Sequence, residues 1–312
     1  WDPGSGTAYI ESATSIGLRL LAPSERGPLE ATSQGLGSVL RAAAMLGAAR
    51  IVVGLGGSAT VDGGLGTARA LGFRFEDARG GAIETPRELE RLARIVPPPV
   101  PTLAGPRIVA LADVSHPLLG ERGTAEVFGP QKGADPAAVE RLEAGLSRLA
   151  ERWRRDLAAP ADLATRTGAG AAGGLGAGLV AFLGADLERG PAWASRLARF
   201  GAALARADAV LTGEGRFDAQ SERGDKGTGW VVERSLERGV PVAVACARAD
   251  PAAVRRRRRT PGVVVVTAGS ISTPGGRRGS AKSRSPEEAL LGVEELAALA
   301  TAALDRLDLA RR

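Results

Sequence analysis

The residues with the most chemical capacity lie where β-branched runs give way to glycine. Ile51-Val52-Val53 breaks into Gly54-Leu55-Gly56-Gly57-Ser58-Ala59-Thr60-Val61-Asp62-Gly63-Gly64, and an alanine- and leucine-rich segment runs on to Leu71. That order reads as strand, tight loop and helix start. Glycines let backbone N–H groups come close to a bound oxyanion, Ser58 and Thr60 add hydroxyl donors, and the helix that follows turns its positive end to the same point. The stretch is a candidate cradle for an anionic small molecule.

Two further places gather polar groups. The run Arg107-Ile108-Val109-Ala110-Leu111-Ala112 predicts a strand that delivers Asp113 at its C-terminal end, where ligand-facing groups of open α/β sheets are found. The loop beyond it adds Ser115, His116, Gln131 and Lys132, and His116 reads equally well as a turn residue before Pro117. Further on, the predicted strand Asp208–Thr212 ends in Gly213-Glu214-Gly215-Arg216-Phe217-Asp218-Ala219-Gln220, a glycine loop with two carboxylates and a guanidinium. Asp62, Asp113, Glu214 and Asp218 with Lys132 and Arg216 suit phosphate bound through cations and a hard divalent ion. For Asp62 and Asp218 a helix cap or turn bond is the competing reading. The pattern G-x-x-x-x-G-K-[ST] and the glycine spacing of a dinucleotide fingerprint are both missing.

The elements that must position these groups follow an α/β rhythm. Thr7–Glu11 reads as a strand, Ala31-Thr32-Ser33 opens a helix through Leu46, and Asp135 with Pro136 caps an amphipathic helix carrying Val139, Leu142, Leu146, Leu149, Trp153 and Leu157. Gly168 to Gly178 holds six glycines, too many for a helix interior unless something packs on its backbone, so a loop is expected there with a helix from Leu179 to Leu183. A ligand and a neighbouring helix are equal candidates for that packing. From Ala207 onward short strands and helices repeat, with Val240–Ala245 and Val263–Val266 as strands, and Ser285-Pro286-Glu287-Glu288 caps a closing helix. The chain opens on Trp1 and a strand already in mid-fold, so an upstream segment is expected.

Composition narrows the classes. With 312 residues, 44% hydrophobic and 24% charged, two domains with real cores are within reach. One cysteine, Cys246, rules out an internal disulfide and reads as a buried strand residue; one histidine rules out multi-histidine zinc sites. No membrane-length apolar run or signal segment is present, and a cytoplasmic protein is expected. The net charge of +6 and the run Arg255 to Arg259 raise the question of nucleic acid, but no aromatics are interleaved to stack bases, so a solvated loop is expected.

Taken together, Gly56–Thr60 with Asp62-Gly63-Gly64, Pro117-Leu118, Phe128-Gly129-Pro130-Gln131-Lys132-Gly133, Gly168–Gly176, and Thr212–Arg216 with Asp218 and Gln220 resemble the type I glycerate kinase family. The resemblance implies ATP- and Mg²⁺-dependent phosphorylation of D-glycerate, with 2-phosphoglycerate the favoured product. It implies two α/β domains, one Rossmann/flavodoxin-like with the other inserted in it and the active site in the cleft between them. Residues 1–199 would be the inserted domain with the first three glycine motifs, and residues 200–312 the Rossmann/flavodoxin-like domain, its N-terminal part absent. On that footing Gly56, Gly57, Ser58, Thr60, Asp62, Gly173 and Gly174 are expected to hold substrate, and Gly213, Gly215, Gln220 and Lys226 the nucleotide. Asp113, Lys132 and Arg216 are expected to be catalytic, with Asp113 the base, and Glu214 and Asp218 to bind Mg²⁺. A homodimer is compatible with the resemblance. The alternative is an impaired or non-catalytic member of the fold that binds a small organic acid or a nucleotide. Val61 stands where the family places Asn, and the basic stretch Gly275 to Arg284 replaces a family segment.

Overall fold

The computed structural model describes residues 1–222, 224, 227–257, 259–267, 298, 300–303, 305 and 306. Lys226, the side chain of Gln220, Arg258, the stretch Gly275 to Arg284 and the capping box at Ser285 lie outside the described residues. The chain divides into two compact units, Trp1–Gly190 and Pro191–Arg312.

The first unit is built on a parallel sheet. Strands β1 (Thr7–Glu11), β2 (Arg50–Leu55), β5 (Arg107–Ala112) and β6 (Asp186–Arg189) lie in the order β1-β2-β5-β6, while β3 (Arg74–Asp77) and β4 (Leu92–Val96) form a separate antiparallel pair. Parallel neighbours need crossovers, and helices supply them. Helix Gln34–Met45 joins β1 to β2 and buries Leu36, Gly37, Leu40 and Ala43, one stripe at helical spacing, in a core shared with Ile51, Val53 and Leu55. Helix Pro136–Leu157 has the predicted cap: Asp135 accepts from the Ala138 N–H at 2.7 Å and Pro136 sits in the first turn. Its buried face, Val139, Leu142, Leu146, Leu149 and Trp153, forms a second core with Phe75, Leu89, Leu92 and Ile95 of the β3–β4 region.

In the second glycine stretch the regular helix begins after Gly174, earlier than the expected Leu179. Helix Ala171–Leu183 contains a kink in which Ala172, Gly173 and Gly174 take φ of 52°, 77° and 83°. What needs the glycines is protein, packed at backbone distance. A Cβ on Gly173 would stand 1.8 Å from the Thr60 carbonyl oxygen, and one on Gly178 2.2 Å from that of Gly63. The glycine loop after β2 thus lies directly on this helix.

The second unit holds a parallel sheet β7-β8-β9, made of Val210–Phe217, Val242–Ala249 and Val263–Thr267. Here the sequence expectation of a loop at Gly213 is corrected. β7 runs through it, pairing Gly213 with Ala245, Glu214 with Cys246 and Arg216 with Arg248. A Cβ on Gly213 would lie 2.7 Å from the Ala245 carbonyl oxygen, so the glycine admits the neighbouring strand. The arginine run begins in a helix where a loop is expected: Arg255, Arg256 and Arg257 form the last turn of helix Pro251–Arg257, where positive charge suits the helix dipole, and Arg256 pairs with Glu222 at 3.0 Å. Cys246 is buried in β8 and unpaired, its thiol pushed up to about 11 by burial and by the Glu214 carboxylate, which makes it an inert packing residue.

The backbone packing at Gly173 makes a measurable demand. Gly173→Ala is expected to cost roughly 3 kcal/mol or more, adding overpacking to left-handed strain. Gly47→Ala, at φ +81° with open space around it, is expected to cost about 1 kcal/mol, the left-handed strain alone. Urea unfolding of the two variants checks this, and equal losses would show that the contact with Thr60 contributes nothing.

Candidate functional site

Because β1, β2 and β5 are parallel, the chain leaves all three at the same edge of the sheet. Ser12 follows β1, the loop Gly56–Thr60 follows β2, and Asp113 follows β5. The loop is held from several sides. The Ser12 N–H donates to the Gly54 carbonyl at 3.0 Å and the Ser12 hydroxyl to the Gly56 carbonyl at 3.3 Å. The Leu18 N–H donates to the Gly57 carbonyl and the Ala59 N–H to the Ile16 carbonyl, both at 2.8 Å. Gly57 takes φ +61°, which bends the chain at this point.

Asp62, one of the expected anion-site residues, faces inward and is fully buried. Its carboxylate accepts from the Ser33 N–H at 2.7 Å, the Ser33 hydroxyl at 2.8 Å, and the N–H groups of Gly64 and Gly66 at 3.0 Å. Thr67 extends the network by donating its N–H and hydroxyl to the Ser33 hydroxyl, each at 2.9 Å. Such a carboxylate is well satisfied and acts as a clamp joining the start of helix Gln34–Met45 to that of helix Leu65–Ala70. Ser33 reads from sequence as a helix cap, yet its hydroxyl caps nothing in its own helix and serves Asp62 instead.

Lys132 reaches the other side of the loop. Its side chain is buried, with the residue 3% exposed, and Nζ donates to Ser58 Oγ at 3.0 Å and to the Thr60 carbonyl at 2.8 Å. Burial lowers its pKa to about 8, partly offset by the negative charge of Asp62. Ser58 and Thr60 are themselves buried, and the Thr60 hydroxyl has no hydrogen-bond partner among the described residues. Asp113 stands at the opposite end: a Cβ on Gly56 would come 3.3 Å from its Oδ2. The residue is exposed, but its carboxyl is screened enough from water that desolvation raises its pKa. Gly173 and Gly174 back the loop, with the Gly63 N–H donating to the Gly173 carbonyl at 3.0 Å. His116 is buried against Phe128, its ring centroid 5.0 Å away, and its carbonyl accepts from the Gly170 N–H at 3.0 Å.

In the second unit the structure brings Glu214 and Asp218 to one hydroxyl. Ser221 Oγ donates to Glu214 Oε2 at 2.8 Å and lies 3.4 Å from Asp218 Oδ1. Two carboxylates and a hydroxyl are hard oxygen donors, and Mg²⁺ takes one or two carboxylates with phosphate oxygens and water, so the donor set fits that ion. Among the described residues no three of His, Cys, Asp and Glu cluster as a metal-binding group, which leaves a cage supplied by the protein alone unsupported there. Gly215 and Arg216 are exposed on β7, and Thr228 donates to the Gly213 carbonyl at 3.1 Å. Ser221, which sequence reasoning missed, lies one residue beyond the motif.

The buried ammonium has a thermodynamic signature. A pKa lowered from 10.5 to about 8 corresponds to roughly 3 kcal/mol of unfavourable burial, present in full below pH 8. Between pH 8 and 10.5 the unfolded chain binds more protons than the folded one, so this penalty fades as pH rises. Lys132→Met removes the charge. Urea unfolding is expected to shift in favour of the wild type, relative to that variant, by roughly 1 kcal/mol between pH 7 and pH 9. A difference that does not change with pH would place Lys132 in water.

Known proteins resemble this chain over most of its length. The glycerate kinase family model matches residues 2–272. The chain is 39% identical over 225 residues to glycerate 2-kinase of Escherichia coli, covering 70% of this chain and 57% of that protein. It is 39% identical over 238 residues to glycerate kinase of Bacillus subtilis, covering 76% and 62%. A crystal structure from Salmonella typhimurium LT2, provisionally described as glycerate kinase 2, superposes with a TM-score of 0.64 at 36% identity, covering 85% of this chain and 69% of that one. The chain spans about three fifths of the length of the curated relatives it matches, 58% and 64% in two of them. With a family match over most of its residues and a mixed α/β fold with parallel sheets, the chain belongs to the glycerate kinase family.

Proposed function

We propose that this chain forms part of a kinase that transfers the γ-phosphoryl group of ATP to D-glycerate, at the 2-hydroxyl in preference to the 3-hydroxyl. The observation that carries the proposal is the loop Gly56–Thr60, held by Lys132, followed in the chain by the buried Asp62 and bordered by Asp113 at the C-terminal edge of the sheet. Backbone N–H groups and the Ser58 hydroxyl hold the glycerate carboxylate. Gly173 and Gly174 hold that loop in shape from behind. Asp113, its pKa raised by desolvation, takes the proton of the attacking hydroxyl as the new O–P bond forms and the bond from Pγ to the ADP oxygen breaks.

Gly213, Gly215, Gln220 and Lys226 are assigned to the nucleotide, and Arg216 to neutralising charge on its phosphates. Glu214 and Asp218, joined through Ser221, are the residues that would hold Mg²⁺. Bound there, the ion neutralises phosphate oxygens. A cytoplasmic location belongs to the same proposal; among the described residues no helix is long and apolar enough to cross a membrane.

Asp113→Asn keeps the shape and removes the base. Turnover of D-glycerate, followed by ADP release, is expected to fall about 10²-fold or more, with ATP affinity within about twofold of the wild type. Unchanged turnover would remove Asp113 from the role, and a wild-type chain that binds ATP but phosphorylates no hydroxy acid would overturn the proposed reaction.

A further inference from the structure

The hydrogen bonds of the Gly56–Thr60 loop tie down its two ends more than its middle. Three of its carbonyls are taken: that of Gly56 by the Ser12 hydroxyl, that of Gly57 by the Leu18 N–H, and that of Thr60 by Lys132 Nζ. Two of its donors are taken as well, the Gly56 N–H by Ser12 Oγ at 3.4 Å and the Ala59 N–H by the Ile16 carbonyl at 2.8 Å, but between them, among the described residues, the N–H groups of Gly57 and Ser58 meet no acceptor. Ser58 Oγ takes part in one bond, as acceptor from Lys132 Nζ at 3.0 Å. An ammonium can only donate, and a hydroxyl has one proton and two lone pairs. With Lys132 on a lone pair, the Ser58 proton is left for an outside acceptor.

We infer that Lys132 is a positioning residue that sets the polarity of this loop, fixing Ser58 as a donor and covering the Thr60 carbonyl, so that the Ser58 hydroxyl stands with the N–H groups of Gly57 and Ser58 as donors for an oxyanion. It acts through Ser58 and Thr60 and does not itself touch the substrate, since its Nζ is buried on the loop. This differs from the expectation that Lys132 neutralises a phosphate directly. The assignment of the oxyanion as the carboxylate of glycerate rests on the proposed function; the polarity of the loop does not.

The groups facing the ammonium are the Ser58 hydroxyl, the Thr60 carbonyl and, through space, the Asp62 carboxylate, which is held in turn by Ser33, Gly64 and Gly66. With the Lys132 pKa lowered to about 8, the clamp loses its proton within the accessible pH range.

Two measurements on the full chain test the inference. The first is hydrogen exchange of the peptide spanning residues 54–62, corrected for the intrinsic effect of pH. Protection in the wild type is expected to fall between pH 7 and 9.5; Lys132→Met is expected to lose it at pH 7, and Ser58→Ala, which leaves the Thr60 bond in place, to keep most of it. The second is calorimetric binding of D-glycerate and of glycerol, which lacks the carboxylate. Ser58→Ala and Lys132→Met are each expected to weaken glycerate binding at pH 7 about tenfold or more, the worth of a hydrogen bond to a charged group. The wild type is expected to weaken by a similar factor above pH 8, and glycerol to bind none of the three. Loop exchange that ignores both pH and Lys132→Met overturns the positioning role, even where glycerate binds and is phosphorylated. Glycerate binding equal in Ser58→Ala and the wild type overturns the donor role of Ser58. If the wild type binds no glycerate while loop exchange responds as stated, the glycerate proposal fails and the positioning role stands.

Discussion

The buried carboxylate of Asp62 is the interaction on which the first unit depends. Four donors converge on it, from Ser33, Gly64 and Gly66, and those residues open two different helices. A carboxylate removed from water is tolerated only when its lone pairs are filled, and here the filling comes mostly from backbone N–H groups whose positions are fixed by the chain. The result is a rigid corner. Once Asp62 is placed, Val61 and Thr60 have little freedom, and Thr60 meets the backbone of Gly173 on one side and the Lys132 ammonium on the other.

Glycine has two separate uses in this chain. At Gly57 it supplies a left-handed turn beside the candidate site. At Gly66, Gly173 and Gly178 it supplies closeness: a Cβ would stand 2.5, 1.8 and 2.2 Å from backbone atoms of Gln34, Thr60 and Gly63. These contacts bring backbone onto backbone behind the loop, so that its unpaired donors are presented by a wall without side-chain freedom. For a reaction that depends on placement and charge neutralisation, such stiffness is of more use than a larger set of contacts.

Much of this was legible in the residues, for identifiable reasons. β2 and β5 are β-branched runs bounded by glycine or aspartate, and helix Pro136–Leu157 carries a cap, a proline and an apolar stripe that agree with one another. Where reading failed, glycine was ambiguous. In β7 it looks like the end of a strand, but Gly213 is there to admit the Ala245 carbonyl; in helix Ala171–Leu183 it looks like a loop, but the helix begins where Thr60 and Gly63 leave room for nothing larger. The arginine run reads as solvated loop because charge hides the helix that Pro251 begins. Ser12, Ser33 and Ser221 were invisible as site residues, since a serine declares its role only through the partner that folding brings to it.

The nearness of the Asp62 charge to Lys132 also bears on why a lysine is placed there at all. No salt bridge forms between them; the carboxylate is filled by its own donors, and the ammonium is left to the Ser58 hydroxyl and the Thr60 carbonyl. A direct ion pair would have held Lys132 more firmly and kept its pKa high, but the loop would have gained nothing from it. By facing neutral oxygens, the ammonium stays poorly compensated and easily deprotonated, and the two hydrogen bonds it donates both go to the loop. A smaller polar residue could cap one of the two oxygens, and arginine could donate to both but would need a planar fork matched to them. Lysine, with three donors on a compact head and a long apolar stem, is the side chain that can cross from the Phe128–Gly133 segment through the core and end as a donor at two oxygens of one turn.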